Sequence, residues 1–271
     1  GWVGRGLTDH ALDWVTGIFD HDVGGARGTS CSSRADFPGY GAIQNTANTP
    51  GVQANNLTNS DSGIRGAYTN GIGGQGAWDG DSGRVYGTEL KEVMSDINRQ
   101  MSILVLTDDD VEYQNKVDVS RVFRDDHGPV ARVDINKRRR SRRTQRNRDY
   151  LATRAAEILR AAGARKIIRS DWAPVLLHLQ SSMRMGDSAR NSVLDENCEA
   201  RAVQGLFIAD NSALPNSLGG PNPTLSTQAL ATRTAEKIFQ QYFGGDAWVD
   251  RESPICSIDD VVTQAVINRG I

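Results

Sequence analysis

At 271 residues and 29.5 kDa the chain can bury a sizeable core, as one large domain or two small ones. A formal net charge of −2 with 24% charged residues gives no global field that selects nucleic acid or an anionic membrane as partner. Cys31, Cys198 and Cys256 lie far apart with no Cys-x-x-Cys, which excludes a disulfide-dense scaffold and a thiolate metal site. No apolar run reaches membrane-spanning length, and GWVGRGLTDH at the start has no signal-peptide core, so the chain as given reads as soluble with its compartment open.

Residues 1–10 read on their own as a polar loop. From 24 to 84 the chain is rich in Gly, Asn, Ser and Asp, with Tyr40, Tyr68 and Trp78 interspersed, which predicts a long loop serving as a lid, binding surface or interface. Inside it Gly71, Gly73 and Gly76 satisfy Gly-x-Gly-x-x-Gly, and Asp96 lies twenty residues on. The context fails, because AYTN is not a buried strand and AWDGDSG cannot open an apolar helix. That segment is read as a glycine-rich loop.

TELKEVMSDIN, 88–98, predicts an amphipathic helix with Leu90, Val93, Met94 and Ile97 inward, and SILVLT, 102–107, a buried strand. Lys116–Val119 and Val130–Ile135 predict half-exposed antiparallel strands joined by a polar turn, RDDHG, in which His127 is solvated. KRRRSRRTQRNR, 137–148, is the strongest charge run. A phosphate-binding patch would need reinforcement elsewhere, so the run is read as a solvated strand end and helix start. It would face the acidic 108–112 or 125–126 turns, or an acidic partner. Leu151, Ala155, Ile158, Leu159 and Ala162 then predict a helix stopped by Gly163, and ARKIIRS a short strand.

The densest stretch runs from His178 to Phe243. LFIAD, 206–210, suits a buried strand whose C-terminal end points at a ligand, and NSALPNSLGGPNPT is almost all turn formers. A helix follows, with Asn222 as N-cap and Pro223 in the first helical position; Leu225, Ala229, Thr232, Ala235, Phe239 and Tyr242 make an inward stripe. A strand, a Gly-rich crossing and a helix N-terminus place unpaired N–H groups and a positive dipole end where a ligand can sit. Of the four histidines, His178 alone follows an apolar approach, PVLLH, into such a turn, and read by itself it is a hydrogen-bonded core histidine. In the tail, SIDDVVTQAVIN predicts a last helix with a capping-box start at Ser257 and Asp260.

His178, then Met185-Gly186, then Ala209-Asp210-Asn211-Ser212, then Asn222-Pro223-Thr224, in this order and spacing, resemble the C-terminal signature of the glucose–methanol–choline (GMC) family of FAD-dependent alcohol oxidoreductases. The likeness is strong over 178–243 and weaker in 115–169 and at GWVGRGLTDH, which is similar to the family's Val-Gly-x-x-Leu-x-Asp-His element. It implies a mixed α/β (α+β) fold: the C-terminal part of a Rossmann-like FAD-binding domain plus an antiparallel-sheet substrate domain. Residues 1–23 would be a remainder of the FAD-binding domain and 24–175 the substrate-binding domain. Residues 176–243 would be the C-terminal part of the FAD-binding domain, and 244–271 a tail.

The resemblance also implies chemistry. His178 would be the base that takes the alcohol proton, and Asn222 an amide that orients the substrate oxygen. Asp210, Asn211, Asn222, Pro223 and Thr224 would lie against FAD, Asp210 more through neighbouring backbone than through its carboxylate. Arg184 would lie near the cofactor or the His178 loop. In the family a Gly-x-Gly-x-x-Gly turn ahead of the first element holds the FAD pyrophosphate, so a companion chain or severed half is implied. The substrate would be a small-molecule alcohol, sugar or polyol. The alternative is a non-catalytic or degenerate GMC-like subunit used for binding.

Overall fold

A computed structural model describes residues 1–25, 27–29, 31–46, 49–54, 67–68, 84–85, 87–135, 140–170, 177–245 and 268. The Gly71–Gly76 loop and the helix expected in the tail lie outside the described residues. No helix among those described is long and apolar enough to cross a membrane.

Seven strands form one sheet in the order β2 (Arg34–Phe37), β3 (Gly41–Thr46), β6 (Gln100–Thr107), β1 (Asp13–Ile18), β9 (Lys166–Ser170), β4 (Ala67–Tyr68) and β5 (Arg84–Val85). Every pairing within it is antiparallel. Central β1 is buried along its whole length, so its two faces feed two cores. Val15 packs with Ile103, Val105 and Ile167 under a helix, α2 (Arg142–Ala161), which lays down Leu151, Ala152, Ala155, Ala156 and Leu159. Gly17 lets that helix come close, since a Cβ there would meet Ala164 Cβ at 3.0 Å and Leu159 Cδ2 at 3.1 Å. On the opposite face Trp14 packs with Leu12, Ala42, Leu104 and Leu106, and Ile18 with Ile168 against Leu90 and Val93 of α1 (Gly87–Ser95).

β1 belongs to the segment assigned by resemblance to the FAD-binding domain, yet it hydrogen-bonds on both sides to strands of the 24–175 segment. The sheet therefore draws on both sides of residue 23. The basic run meets the acidic 108–112 turn, one of the counterparts considered, but it is not the solvated surface expected, since ion pairing draws Arg140 and Arg148 inside. Arg140 Nη2 binds Asp109 Oδ2 at 2.6 Å and its Nε reaches Glu112, while Arg143 binds Asp108 and, at 2.7 Å, Asp110. Ser141 caps α2 by accepting from Thr144 N–H.

Three expectations differ from the structure. β7 (Lys116–Asp125) and β8 (Gly128–Asp134) pair as expected but stand apart as a two-stranded sheet, with both strands exposed throughout most of their length. LFIAD is no buried strand: it makes one isolated bridge, Glu199↔Phe207, and Leu206 and Asp210 are exposed, because no strand of the described chain lies beside it. The last helix, α3, is Thr224–Phe243 with Pro223, not Asn222, at the N-cap, and no side chain caps it. Leu225, Ala229, Thr232, Ala235, Phe239 and Tyr242 all face outward; Thr234 and Glu236 are buried instead. The stripe is present, but apart from Tyr242, which meets Phe207 and Glu199, the described residues pack against the other side of the helix.

Candidate active site

The site begins where the chain enters β1. Thr8 and Gln180 exchange backbone hydrogen bonds of 3.1 and 3.2 Å, which lays the 178–182 segment beside residues 8–10. His10 adopts a positive φ of 51° and its carbonyl accepts from Thr107 N–H at 2.8 Å, fixing its backbone to the end of β6. With the backbone held this way the two imidazoles meet: His10 Nδ1 and His178 Nδ1 are 2.9 Å apart, with the rings edge to face. Asp9 Oδ1 accepts from His178 N–H at 3.3 Å.

Behind His10 stands the loop 214–222. Its Ser217 carbonyl lies 2.7 Å from His10 Nε2, and Ser217 Oγ donates to Asp108 Oδ1 at 2.6 Å while accepting from Asp109 N–H. The loop presses on the sheet at Gly220, where φ is +89° and a Cβ would sit 2.6 Å from Leu106 O. Five residues past Ser217, Asn222 donates through Nδ2 to Gln44 Oε1 of β3 at 3.0 Å. His178 is thus tied through His10 to the end of β6, and Asn222 through Gln44 to β3.

Burial holds both imidazoles at a pKa of about 4, well below the ordinary 6.5. For His10 the Ser217 carbonyl and Asp108 oppose that shift without cancelling it; for His178, His10 and Arg34 add to it. Both rings are therefore neutral near pH 7, and a neutral imidazole can accept a proton.

A cleft of about 550 Å³ is lined among others by Leu179, Gln180, Asp210, Asn211, Thr224 and Thr227; Gln180 ties it to His10 at 2.9 Å, while His178, Asn222 and Pro223 are not among its lining residues. Its walls are joined by backbone bonds: Ser181, Met183 and Met185 N–H donate to the carbonyls of Asn211, Ser212 and Ala213 at 2.9–3.1 Å. Three of the residues expected at a cofactor, Asp210, Asn211 and Thr224, meet in this cleft. Asp210 there caps the 3-10 turn Asn211–Ala213, its Oδ1 accepting from Ser212 N–H at 2.7 Å. Thr227 Oγ1 bonds Asn211 Oδ1 and the Pro223 carbonyl. With no capping side chain, the first N–H groups of α3 and its positive dipole end remain available to a ligand. Arg184 belongs to the segment that follows His178, its N–H donating to Ser181 O, and its guanidinium carbon lies 5.2 Å from the centre of the Trp2 ring.

His10, Ser217, Gln44 and Gln180 escaped the sequence reading. The Asp-His pair at 9–10 was visible only as part of a longer element, and nothing local says that a residue 168 positions away faces it. Ser217 and Gln44 carry no pattern of their own.

A family model described as GMC oxidoreductase, C-terminal, matches residues 112–231. C-glycoside 3-oxidase of Arthrobacter globiformis is 32% identical over 139 residues, 49% of this chain and 25% of that protein. Paromamine 6'-oxidase of Streptomyces fradiae is 25% identical over 242 residues, 88% of this chain and 39% of that protein. Pyridoxine 4-oxidase from Mesorbium loti shares the fold with a TM-score of 0.52 at 15% identity, over 91% of this chain and 44% of that one. The chain spans a quarter to two fifths of the length of these curated relatives.

Proposed function

The chain carries a GMC oxidoreductase C-terminal region over residues 112–231, and we infer from it that these residues supply the proton-accepting side of an FAD-dependent alcohol oxidation. The observation that carries this reading is His178: buried, neutral, hydrogen-bonded through Nδ1 and followed directly by Leu179 and Gln180, which line the cleft.

The cleft residues fit a flavin. Leu7, Val117 and Leu179 offer apolar contact, Ser182, Asn211 and Gln228 offer polar groups, and Thr224 opens a helix whose first N–H groups have no side-chain cap. Asn211, Pro223 and Thr224 would hold it; the Asp210 carboxylate, occupied by Ser212 N–H, would act through the turn it caps. When bound, FAD supplies the acceptor for the hydride on the carbinol carbon. His178 Nε2 takes the hydroxyl proton, so that loss of proton and hydride together leaves a carbonyl. Asn222 has one N–H engaged by Gln44; its second N–H is the donor that would orient the substrate oxygen.

The names of the relatives support a hydroxyl on a glycoside as substrate. Two features support a companion polypeptide that covers this side of the chain: the apolar stripe of α3 faces outward, and the strand-like 206–210 segment has no neighbouring strand among the described residues. The test is anaerobic reduction of the flavin by alcohol, with the chain and its companion purified together. His178→Ala should keep the flavin bands and slow their bleaching by about a hundred- to ten-thousand-fold. Bleaching at the wild-type rate would make His178 structural, and absence of flavin bands from the wild-type pair would leave a binding subunit.

A further inference from the structure

We propose that His10 is a positioning residue that holds His178 in a single tautomer, with the proton on Nδ1 and a bare lone pair on Nε2. The proposal rests on the reading of His178 as the base, and gives that base its orientation.

The argument starts from a group whose role is fixed. Ser217 O is a carbonyl and can only accept, so His10 Nε2, 2.7 Å away, must carry a hydrogen. A neutral imidazole has one N–H, and His10, fully buried, is neutral; its Nδ1 is therefore an acceptor. His178 Nδ1, 2.9 Å from that acceptor, must then be the donor. That leaves the His178 Nε2 lone pair for an incoming proton. Gln180 gives an independent check. Its Nε2 lies 2.9 Å from His10 Nε2, which sets two donors face to face, while its Oε1 is buried without a partner. Turning the amide over removes the donor–donor contact, because Oε1 then accepts from His10 Nε2–H alongside Ser217 O and the amide nitrogen takes the position where the oxygen had no partner.

The arrangement serves both states of the base. After His178 accepts a proton at Nε2, its Nδ1–H still donates to His10, so no second proton has to move. An imidazole acceptor also differs from a carboxylate in bringing no negative charge to the ring. The partner is rigid: His10 O is bound by Thr107 N–H, and Ser217 is pinned to Asp108 and Asp109 at the end of β6. Without His10, the buried Nδ1–H of His178 loses its acceptor, and the ring can adopt the Nε2–H tautomer, which has no lone pair where the reaction needs one.

The test combines a spectroscopic and a kinetic measurement on the chain with its companion. Long-range ¹H–¹⁵N spectra of histidine-labelled protein should show His178 protonated at Nδ1 and His10 at Nε2. His178 protonated at Nε2 in the wild type would overturn the proposal, whatever the enzyme's activity. His10→Phe keeps a ring but offers no acceptor. It should populate the Nε2–H tautomer of His178 and slow anaerobic flavin reduction about ten- to a hundredfold, the usual range for losing a group that orients a functional histidine. His10→Asn places an amide oxygen near the former Nδ1 and should restore both the tautomer and most of the rate. A wild-type tautomer and rate in His10→Phe would sink the idea. Should His10→Phe fail to fold, the wild-type spectrum and His10→Asn still decide. If instead His178→Ala reduces normally, the base assignment fails while the tautomer measurement stands or falls by itself.

Discussion

The sheet with α2 and the surface around α3 are built from equally patterned sequence, but only the first finds its partners among the described residues. Around β1 the apolar positions of α2 meet Val15, Ile103 and Ile167, and each buried charge has a countercharge. Asp13 is held by Arg148 Nε at 2.8 Å and by Arg169 Nη2 at 2.5 Å, all three wholly or almost wholly buried. Around α3 the apolar stripe points outward, while the opposite side packs inward through Leu230, Thr234 and Glu236; Glu236 is buried and Leu225 is 78% exposed. The difference teaches that an amphipathic pattern specifies that a face will be covered, without specifying by which polypeptide. Between the two regions lies the His10–His178 pair, with one histidine on the entry to β1 and the other on the loop that reaches the cleft.

The largest effect on stability should come from breaking the self-contained side. Arg169→Met removes the cation that contacts Asp13 through Nε and Nη2 and also reaches Asp149 at 2.8 Å. Asp13 then has lost one of its two guanidinium partners at zero exposure, a change of the kind that costs about 3–5 kcal/mol. Because the whole cluster lies within this chain, denaturant unfolding should register the loss equally with and without the companion. A loss seen only in the pair would mean that the sheet is not self-contained.

Acid should find the boundary between the regions. The His10 and His178 pKa values are about 4 in the folded chain against 6.5 for an ordinary imidazole, so between those limits the unfolded chain binds more protons. Stability is complete above about pH 6.5 and is lost as pH falls toward 4, with His10 alone worth about 3 kcal/mol at the full shift. Asp9, Asp108 and Arg34 also face the pair and shape the curve. His10→Asn removes one of the two titrating rings, so its melting temperature should fall less than that of the wild type between pH 7 and pH 5, measured side by side. Parallel curves would show that His10 is not buried in the neutral form.

What the sequence disclosed follows the same division. SILVLT, ARKIIRS and the helix ending at Gly163 were legible because local pattern and long-range packing agree there, and the basic run was legible because its acidic complement lies close by in sequence at 108–112. LFIAD and the α3 stripe were read as buried because their composition demands cover, which the described residues do not provide. The Asn222 cap was misplaced by one residue: Pro223 holds the N-cap position, and the Asn222 amide donates to Gln44, 178 positions away. His10 lay beyond pattern reading altogether, since a hydrogen bond between side chains 168 positions apart leaves no periodicity.

The smallest effect should also separate the two regions most sharply. Leu225 is 78% exposed on the first turn of α3, and Phe239, on the same stripe, is 48% exposed. In the chain by itself, Leu225→Ser removes almost no buried area, so unfolding should shift by no more than about 0.5 kcal/mol, the usual result for a surface change. In the pair, a leucine covered by the companion contributes about 1.5–3 kcal/mol, and its loss should weaken association roughly ten- to a hundredfold. Phe239→Ser should repeat the pattern from the far end of the helix, and Lys91→Ser, on the exposed side of α1 against the closed sheet, should change neither quantity. A companion that binds the Leu225 and Phe239 variants as tightly as the wild type would leave the stripe uncovered and remove the argument that α3 is an interface. A variant that destabilises the lone chain by several kcal/mol would instead mean that α3 turns its stripe inward when unpaired, and that the two regions differ less than their exposure shows.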